Sequence, residues 1–447
     1  MDYSRLSDGM EPGFELDQAL AEAGRCLLCH EPPCSKGCPA ETDPGTFIRK
    51  LRFRNVTGAI RTVKQNNILA GACGVLCPTA RLCEKECSAS GIDRPIRIGK
   101  LQRFLVEHSR KIGFNALGDN PARHGKEKVA VVGAGPAGLS CAAELAKRGC
   151  EVTVFEARPE AGGVLRYGVP AFRLATWFLR RELADVESLG VKIKPSTELS
   201  GRRAAENLLK KGYSAVFVAV GLWEPVRLKE EQGHLKGLLT SLDFLAALRM
   251  GKSAEAGRRV KGKVCAVIGG GSVAMDCARS ALRLGAADVY LLYRRNYAQM
   301  PAEAEEKVLA QQEGAHFILL NQPVGYVTGS KGELKAIRLV RTRLGAKDSS
   351  GRRKPVEVKG TEWILPVDAA IEAIGYRPRR DSPSWYPSVA VDGGGLIRAR
   401  ERDCRTSRPG IFAGGDIVRG PDLVVRAVAD GKLAARSILE YLGRKAA

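Results

Sequence analysis

The sequence holds 447 residues, 44 % of them hydrophobic, with 71 Lys and Arg against 49 Asp and Glu for a formal charge of +22. That length gives two to four domains with sizeable cores, and the lack of any apolar run near about 18 residues excludes a membrane span. The opening MDYSRLSDGMEPGFELDQ has neither the basic start nor the apolar centre of a secretory leader, so a cytoplasmic protein is expected.

In the cytoplasm, thirteen cysteines point to metal or redox chemistry rather than disulfides. Eight of them fall in two groups: Cys26, Cys29, Cys34 and Cys38-Pro39, then Cys73, Cys77-Pro78, Cys83 and Cys87. Between the groups, TFIRKLRFRNVTGAIRTVKQNN has helical apolar spacing and no strand alternation. Residues 1–112 therefore read as an all-α domain wrapped around two metal centres. Structural zinc prefers two well-separated, evenly spaced pairs, whereas uneven spacing with Cys-Pro suits iron–sulfur ligation. Two 4Fe–4S clusters are expected. Spacing suggests that Cys26, Cys29 and Cys34 share one cluster with a ligand from the second group, most simply Cys87. Cys38 crosses to the other cluster, where Cys73, Cys77 and Cys83 are all candidates. The remaining five cysteines form no C-x-x-C pair and read as buried thiols.

A polar linker (113–123) leads to strands alternating with helices. KVAVVGAGPAGLSCAAELAKRGCEVTVFEA is strand, Gly-rich turn, helix and second strand. Gly133 permits the tight turn, Gly135 lets the backbone approach a pyrophosphate, and Gly138 allows close helix packing. Glu156 at the second strand's end suits a ribose diol. EAGGVL and Arg173 in GVPAFRL follow this unit and are placed near a flavin. The unit recurs as KVCAVIGGGSVAMDCARSALRLGAADVYLLYRRN, with Gly269, Gly271 and Ala274 at the turn. Here Arg294 and Arg295 replace the acid, as a 2′-phosphate requires, so NADP(H) is preferred and NAD(H) is the alternative. VFVAVG (216–221) and AIEAIG (370–375) read as strands crossing between the two domains. IFAGGDIV ends a strand at Gly415-Asp416, and a helix begins near Leu423; an aspartate there binds a ribityl hydroxyl, and the helix start stabilises a reduced flavin. FAD is expected.

No Cys-x-x-Cys lies in the second nucleotide domain, which argues against a disulfide reductase. No nucleophile elbow or zinc-protease motif appears, and the five histidines are dispersed. Most of the positive charge lies beyond residue 112, in RR (258–259), GRRK (351–354), RPRR (377–380) and RARERDCR (398–405). A basic surface of this kind suits phosphorylated cofactors or an acidic protein partner. No nucleic-acid motif accompanies it.

Taken together, RCLLCHEPPCSKGCPAETDPGTFI, CGVLCPTARLCEKEC, IRIGKLQRF, GAGPAGL, GVPAFRL, GGGSVAMDC, YRRNYAQMP and IFAGGDIV resemble the family that contains the small subunit of NADPH-dependent glutamate synthase and the flavin-bearing part of dihydropyrimidine dehydrogenase. The resemblance covers nearly the whole chain. It implies Cys26, Cys29, Cys34 and Cys87 on one cluster, and Cys38, Cys77, Cys83 and the side-chain oxygen of Gln102 on the other, where spacing would have chosen Cys73. It also implies FAD contacts at Gly133, Gly135, Pro136, Ala137, Gly138, Glu156, Gly163, Arg173, Leu199, Gly415, Asp416 and Val424. NADP contacts follow at Gly269, Gly271, Ser272, Arg294, Arg295, Ala373 and Gly375. The cysteine segment and Gln102 look most like the dihydropyrimidine dehydrogenase branch, while YRRNYAQMP looks more like the glutamate synthase branch.

The expected fold is α/β: an N-terminal all-α iron–sulfur domain, then two Rossmann-like domains in a glutathione-reductase-like arrangement. FAD would be held by 124–245 and 376–447, with the NAD(P)H domain, 246–375, inserted between them. The expected function is an electron-transfer flavoprotein subunit. It would oxidise NAD(P)H, or reduce NAD(P)+, through FAD and two clusters, with no catalytic residue of its own beyond the flavin. Its partner would be a catalytic subunit in a hetero-oligomer, such as that of dihydropyrimidine dehydrogenase, with a ferredoxin as an alternative and no nucleic acid. Competing readings are the glutamate synthase small subunit, a partner-independent flavin reductase, and a zinc-stabilised nucleic-acid-binding protein.

Overall fold

A computed structural model describes residues 10–118, 127–228, 235–348 and 351–443. Position 124, where the first FAD segment is expected to begin, lies outside the described residues, as does part of the linker. The chain divides into two compact units, with crossings at Arg166/Tyr167, Phe172/Arg173, Glu224/Pro225 and Tyr376/Arg377.

The first unit begins with a helical domain. Its helices are Leu16–Gly24, Pro33–Lys36, Pro44–Arg52, Val56–Asn66, Ala70–Leu76 and Ile98–Lys111. The stretch between the cysteine groups is a pair of helices. Arg54 takes a positive φ of 60° at the break, and the Asn55 side chain accepts the Gly58 N–H to start the second helix. Phe47, Ile48, Leu51, Ile60, Val63, Leu101 and Leu105 are buried and form the apolar faces that the spacing predicts.

In the same unit a five-stranded parallel sheet runs in the order Ile411–Ala413, Ala215–Val218, Lys128–Val132, Glu151–Phe155, Lys192–Lys194. Its edge strand comes from near the C-terminus, so the sheet is complete only when the last segment of the unit joins the earlier ones. The helices Pro136–Lys147 and Val424–Tyr441 pack closely at Gly431, where a Cβ would fall 2.2 Å from the Ala137 carbonyl oxygen.

The second unit is built from Pro225–Tyr376 with Tyr167–Phe172. Its parallel sheet runs Leu238–Thr240, Ala369–Glu372, Val264–Ile268, Asp288–Tyr293, Ala315–Leu319. Because Leu238–Thr240 is a strand of this sheet, the unit starts upstream of residue 246. Four antiparallel strands follow: Asn321–Thr328, Leu334–Lys347, Arg353–Glu357 and Trp363–Pro366. Among the described residues no helix is long and apolar enough to cross a membrane.

Candidate functional site

Cys26, Cys29, Cys34 and Cys87 line one recess, together with Leu27, Pro32, Ile48 and Ser88. Burial pushes the Cys34 thiol up to about 12, reinforced by Cys87, Cys26 and Cys29. Burial also raises Cys26. These thiols resist ionising beside one another, which is the condition a cationic metal centre reverses. The Ile96 N–H donates to the Cys87 sulfur at 3.5 Å. Arg49 donates to the Cys29 carbonyl at 3.1 Å, and Arg52 donates to the Cys26 carbonyl.

Cys38, Cys73, Cys77, Cys83 and Gln102 line a second recess, with Gly74, Gly99 and Val425. Cys77 is raised by a hydrogen bond with Cys73, by burial, and by the nearness of Cys73, Cys38 and Cys83. Burial likewise raises Cys83. Gln102 donates from Nε2 to the Ala70 carbonyl at 2.6 Å. A carbonyl only accepts, so the amide nitrogen must face Ala70, which leaves Oε1 as the free end of the group. Five donors thus share this recess. Among the described residues no three His, Cys, Asp or Glu side chains converge closely enough to hold a single ion. Thiols spread around a recess suit a polynuclear cluster, whose irons each take one ligand, better than one tetrahedral zinc.

In the first Rossmann unit Gly133 has a φ of 102°, and a Cβ there would lie 2.4 Å from the Ala219 carbonyl oxygen. At Gly138 a Cβ would meet the Gly133 oxygen at 2.0 Å, whereas at Gly135 it would have only the Cα of Gly163 within 4 Å. The turn is therefore packed on two sides and open at the helix start, where Pro136 and Ala137 begin Pro136–Lys147. That geometry fits a pyrophosphate. Glu156 accepts the Ala134 N–H at 2.8 Å and the Arg158 N–H at 2.9 Å. This strand-end carboxylate is placed as a ribose diol requires, and burial raises its pKa. Gly415 holds a φ of 74°, and its N–H is accepted by Asp430 at 2.9 Å. Burial pushes Asp416 up to about 7, against a backbone hydrogen bond from Asp422. Such a carboxyl suits a ribityl hydroxyl. Leu199 packs on the core beside this sheet, Arg173 is half-buried, and Val424 opens the last helix.

The second Rossmann turn follows the same plan. Gly269 has a φ of 145°, with the Ala373 oxygen 2.3 Å from a built Cβ, while Gly271 meets only Pro301 at 3.8 Å. Ser272 begins Ser272–Arg283, and Gly375 has a φ of 121° with open space around it. The two arginines divide. Arg295 is buried, paired with Asp348 at 2.8 Å, and donates to the Arg353 carbonyl. Arg294 is exposed, and its pKa is lowered by burial of part of its length and by the cations Arg295 and Arg352. A dianionic 2′-phosphate relieves that kind of crowding.

Sequence reasoning missed three groups. Val425, in the second recess, directly follows the expected FAD contact Val424. Arg158 stacks over Trp223 at 4.1 Å, two residues from Glu156. Glu182 accepts the N–H groups of Gly71 and Ala72. Only Arg158 has a local signal, its place just after the strand-end acid.

A family model described as dihydropyrimidine dehydrogenase domain II, 4Fe-4S cluster, matches residues 5–114. A second, pyridine nucleotide-disulphide oxidoreductase, matches residues 115–168 and 127–431. The chain belongs to the pyridine nucleotide-disulphide oxidoreductase family. The glutamate synthase [NADPH] small chain of Escherichia coli is 37 % identical over 438 residues, covering 96 % of this chain and 92 % of that one. The NAD-dependent dihydropyrimidine dehydrogenase subunit PreT of Salmonella typhimurium is 37 % identical over 444 residues, covering 99 % and 98 %. The solved structure of Mycobacterium tuberculosis FprA with NADPH matches with a TM-score of 0.60 at 20 % identity, over 71 % of this chain and 85 % of that one; this likeness speaks of fold alone. The oxidoreductase is thus an electron-transfer flavoprotein that uses FAD, a pyridine nucleotide and 4Fe–4S clusters. In its second unit Cys265 is pushed up to about 12 and Cys277 well above the usual thiol range, both by burial. Neither is a reactive dithiol.

Proposed function

We propose that this oxidoreductase is the nucleotide-handling subunit of a larger enzyme, exchanging electrons between NADPH and a catalytic partner subunit. Bound FAD supplies a hydride-accepting ring, and two bound clusters supply one-electron carriers. The observation that carries the reading is that two thiol-lined recesses share one unit with the flavin fold. Val425, next to a flavin-contact position, forms part of the second recess. Cys26, Cys29, Cys34 and Cys87 would hold the first cluster, and Cys38, Cys77 and Cys83 with Gln102 the second; Cys73 remains the competing donor.

Leu27, a wall of the first recess, is 47 % exposed, beside Arg49 and Arg52. The partner is expected to dock at this rim, bringing apolar and acidic groups. Two similar chains are named as parts of multi-component enzymes, a glutamate synthase and a dihydropyrimidine dehydrogenase. The cysteine segment favours a dihydropyrimidine dehydrogenase catalytic subunit, with the glutamate synthase large subunit second. Arg294 supports NADP(H) over NAD(H).

Anaerobic purification from the native host tests the reading. The protein should carry flavin, with iron and acid-labile sulfide enough for two clusters, and a catalytic subunit should co-purify. Protein lacking iron and flavin, or full turnover of a physiological substrate by this chain alone, would overturn it.

A further inference from the structure

The short helix Ala70–Leu76 is gripped from two sides. On one side Gln102 donates to the Ala70 carbonyl, and at Gly74 a Cβ would lie 2.8 Å from the Arg103 nitrogen and 2.9 Å from the Gly99 oxygen. On the other side stands Glu182, from the flavin-fold helix Thr176–Ser188. Its two oxygens accept the Gly71 N–H at 2.7 Å and the Ala72 N–H at 2.9 Å. A Cβ at residue 71 would lie 2.6 Å from the Phe178 ring and 2.8 Å from the Glu182 carboxylate, so a larger residue there would have to displace one of them.

Glu182 is 0 % exposed. Burial raises its carboxyl, against the charges of Lys64 and Arg110 and the two N–H bonds. Lys64 and Arg110 also meet Asp185, at 2.5 and 3.4 Å. Two carboxylates and two cations therefore share one contact, buried at Glu182 and Lys64 and partly exposed at Asp185. Packing alone gives little reason for such a cluster, since apolar side chains often serve a buried contact as well or better.

We propose that Glu182 is a positioning residue for the second cluster, fixing the helix that ends at Cys77 and setting that cluster's reduction potential with its charge. The hydrogen bonds to residues 71 and 72 hold the turn whose Ala70 carbonyl orients the Gln102 amide. A fixed negative charge nearby opposes the arrival of an electron. The inference rests on the reading that the second recess holds a cluster.

Redox titration of the full-length holoprotein by electron paramagnetic resonance, with Glu182→Gln and Glu182→Asp beside the wild type, tests it. Glu182→Gln keeps the shape and removes the charge, while its amide nitrogen, which cannot accept, gives up one of the two N–H bonds. It should retain both clusters, and one cluster signal should move to a more positive potential while the other stays. A tenfold rise in that cluster's reduced-to-oxidised ratio at fixed potential corresponds to about 59 mV. Glu182→Asp should restore most of the wild-type potential. Unchanged potentials in a Glu182→Gln protein with full iron would overturn the proposal. Wild-type protein with iron for fewer than two clusters would overturn the reading beneath it, before any variant is compared.

Discussion

Asp416 sits at the start of the short helix Asp416–Arg419, its carboxyl pushed up to about 7 by burial. A raised carboxylate pKa means that the folded chain holds the proton more tightly than the unfolded chain. In flavin-free protein its contribution is intact below about pH 4, where both states are protonated. It is lost progressively as the pH rises to 7 and stays lost above. Asp416→Asn should therefore gain thermal stability over the wild type across that window, by up to about 4 kcal/mol, with the gap flat above pH 7. Melting curves of the two proteins from pH 5 to 8 check this. Arg294 and Arg295 give a second residue-scale outcome. Arg294→Ser should raise KM for NADPH about tenfold or more with little change for NADH, as loss of a charged hydrogen-bond partner requires. Arg295→Gln should instead lower the unfolding midpoint by breaking the Asp348 pair. Steady-state kinetics and urea unfolding separate the two. The sequence read both arginines alike, because adjacent residues on a strand end look equivalent until a distant hairpin supplies an aspartate.

At the scale of elements, glycines do much of the positioning. Gly431 lets the helix Val424–Tyr441 reach the flavin helix, where a Cβ would lie 2.2 Å from the Ala137 oxygen and 2.9 Å from the Cys141 nitrogen. Gly431→Ala should cost about 1–3 kcal/mol by overpacking and weaken FAD retention, since Ala137 belongs to the helix turn proposed to face the pyrophosphate. Denaturant unfolding and flavin-release measurements read both effects. The Gly-rich turns were legible in the sequence, because turn chemistry is local and each glycine answers a backbone need at its own position. The break at Arg54 was not. No glycine or proline marks it, and only Asn55, an ordinary N-cap residue, hints that a second helix starts there.

Over the whole molecule, the helical cysteine domain and the flavin fold belong to one compact unit, joined through Glu182, Asp185, Lys64 and Arg110. Arg436 also pairs with Glu41 at 3.0 Å. The chemistry was legible in the sequence alone: two cysteine groups of the kind that hold clusters, two dinucleotide turns, a strand-end acid, and a later Gly-Asp expected at a flavin. These are short-range patterns whose spacing constrains the backbone directly. Only the tertiary structure decided which cysteines meet, that Cys73 and Gln102 share one recess, that Arg295 belongs to Asp348, and that a buried glutamate of the flavin fold grips the helix leading to Cys77. Those outcomes depend on groups far apart in the chain, whose burial and hydrogen bonding exist only once the elements have packed.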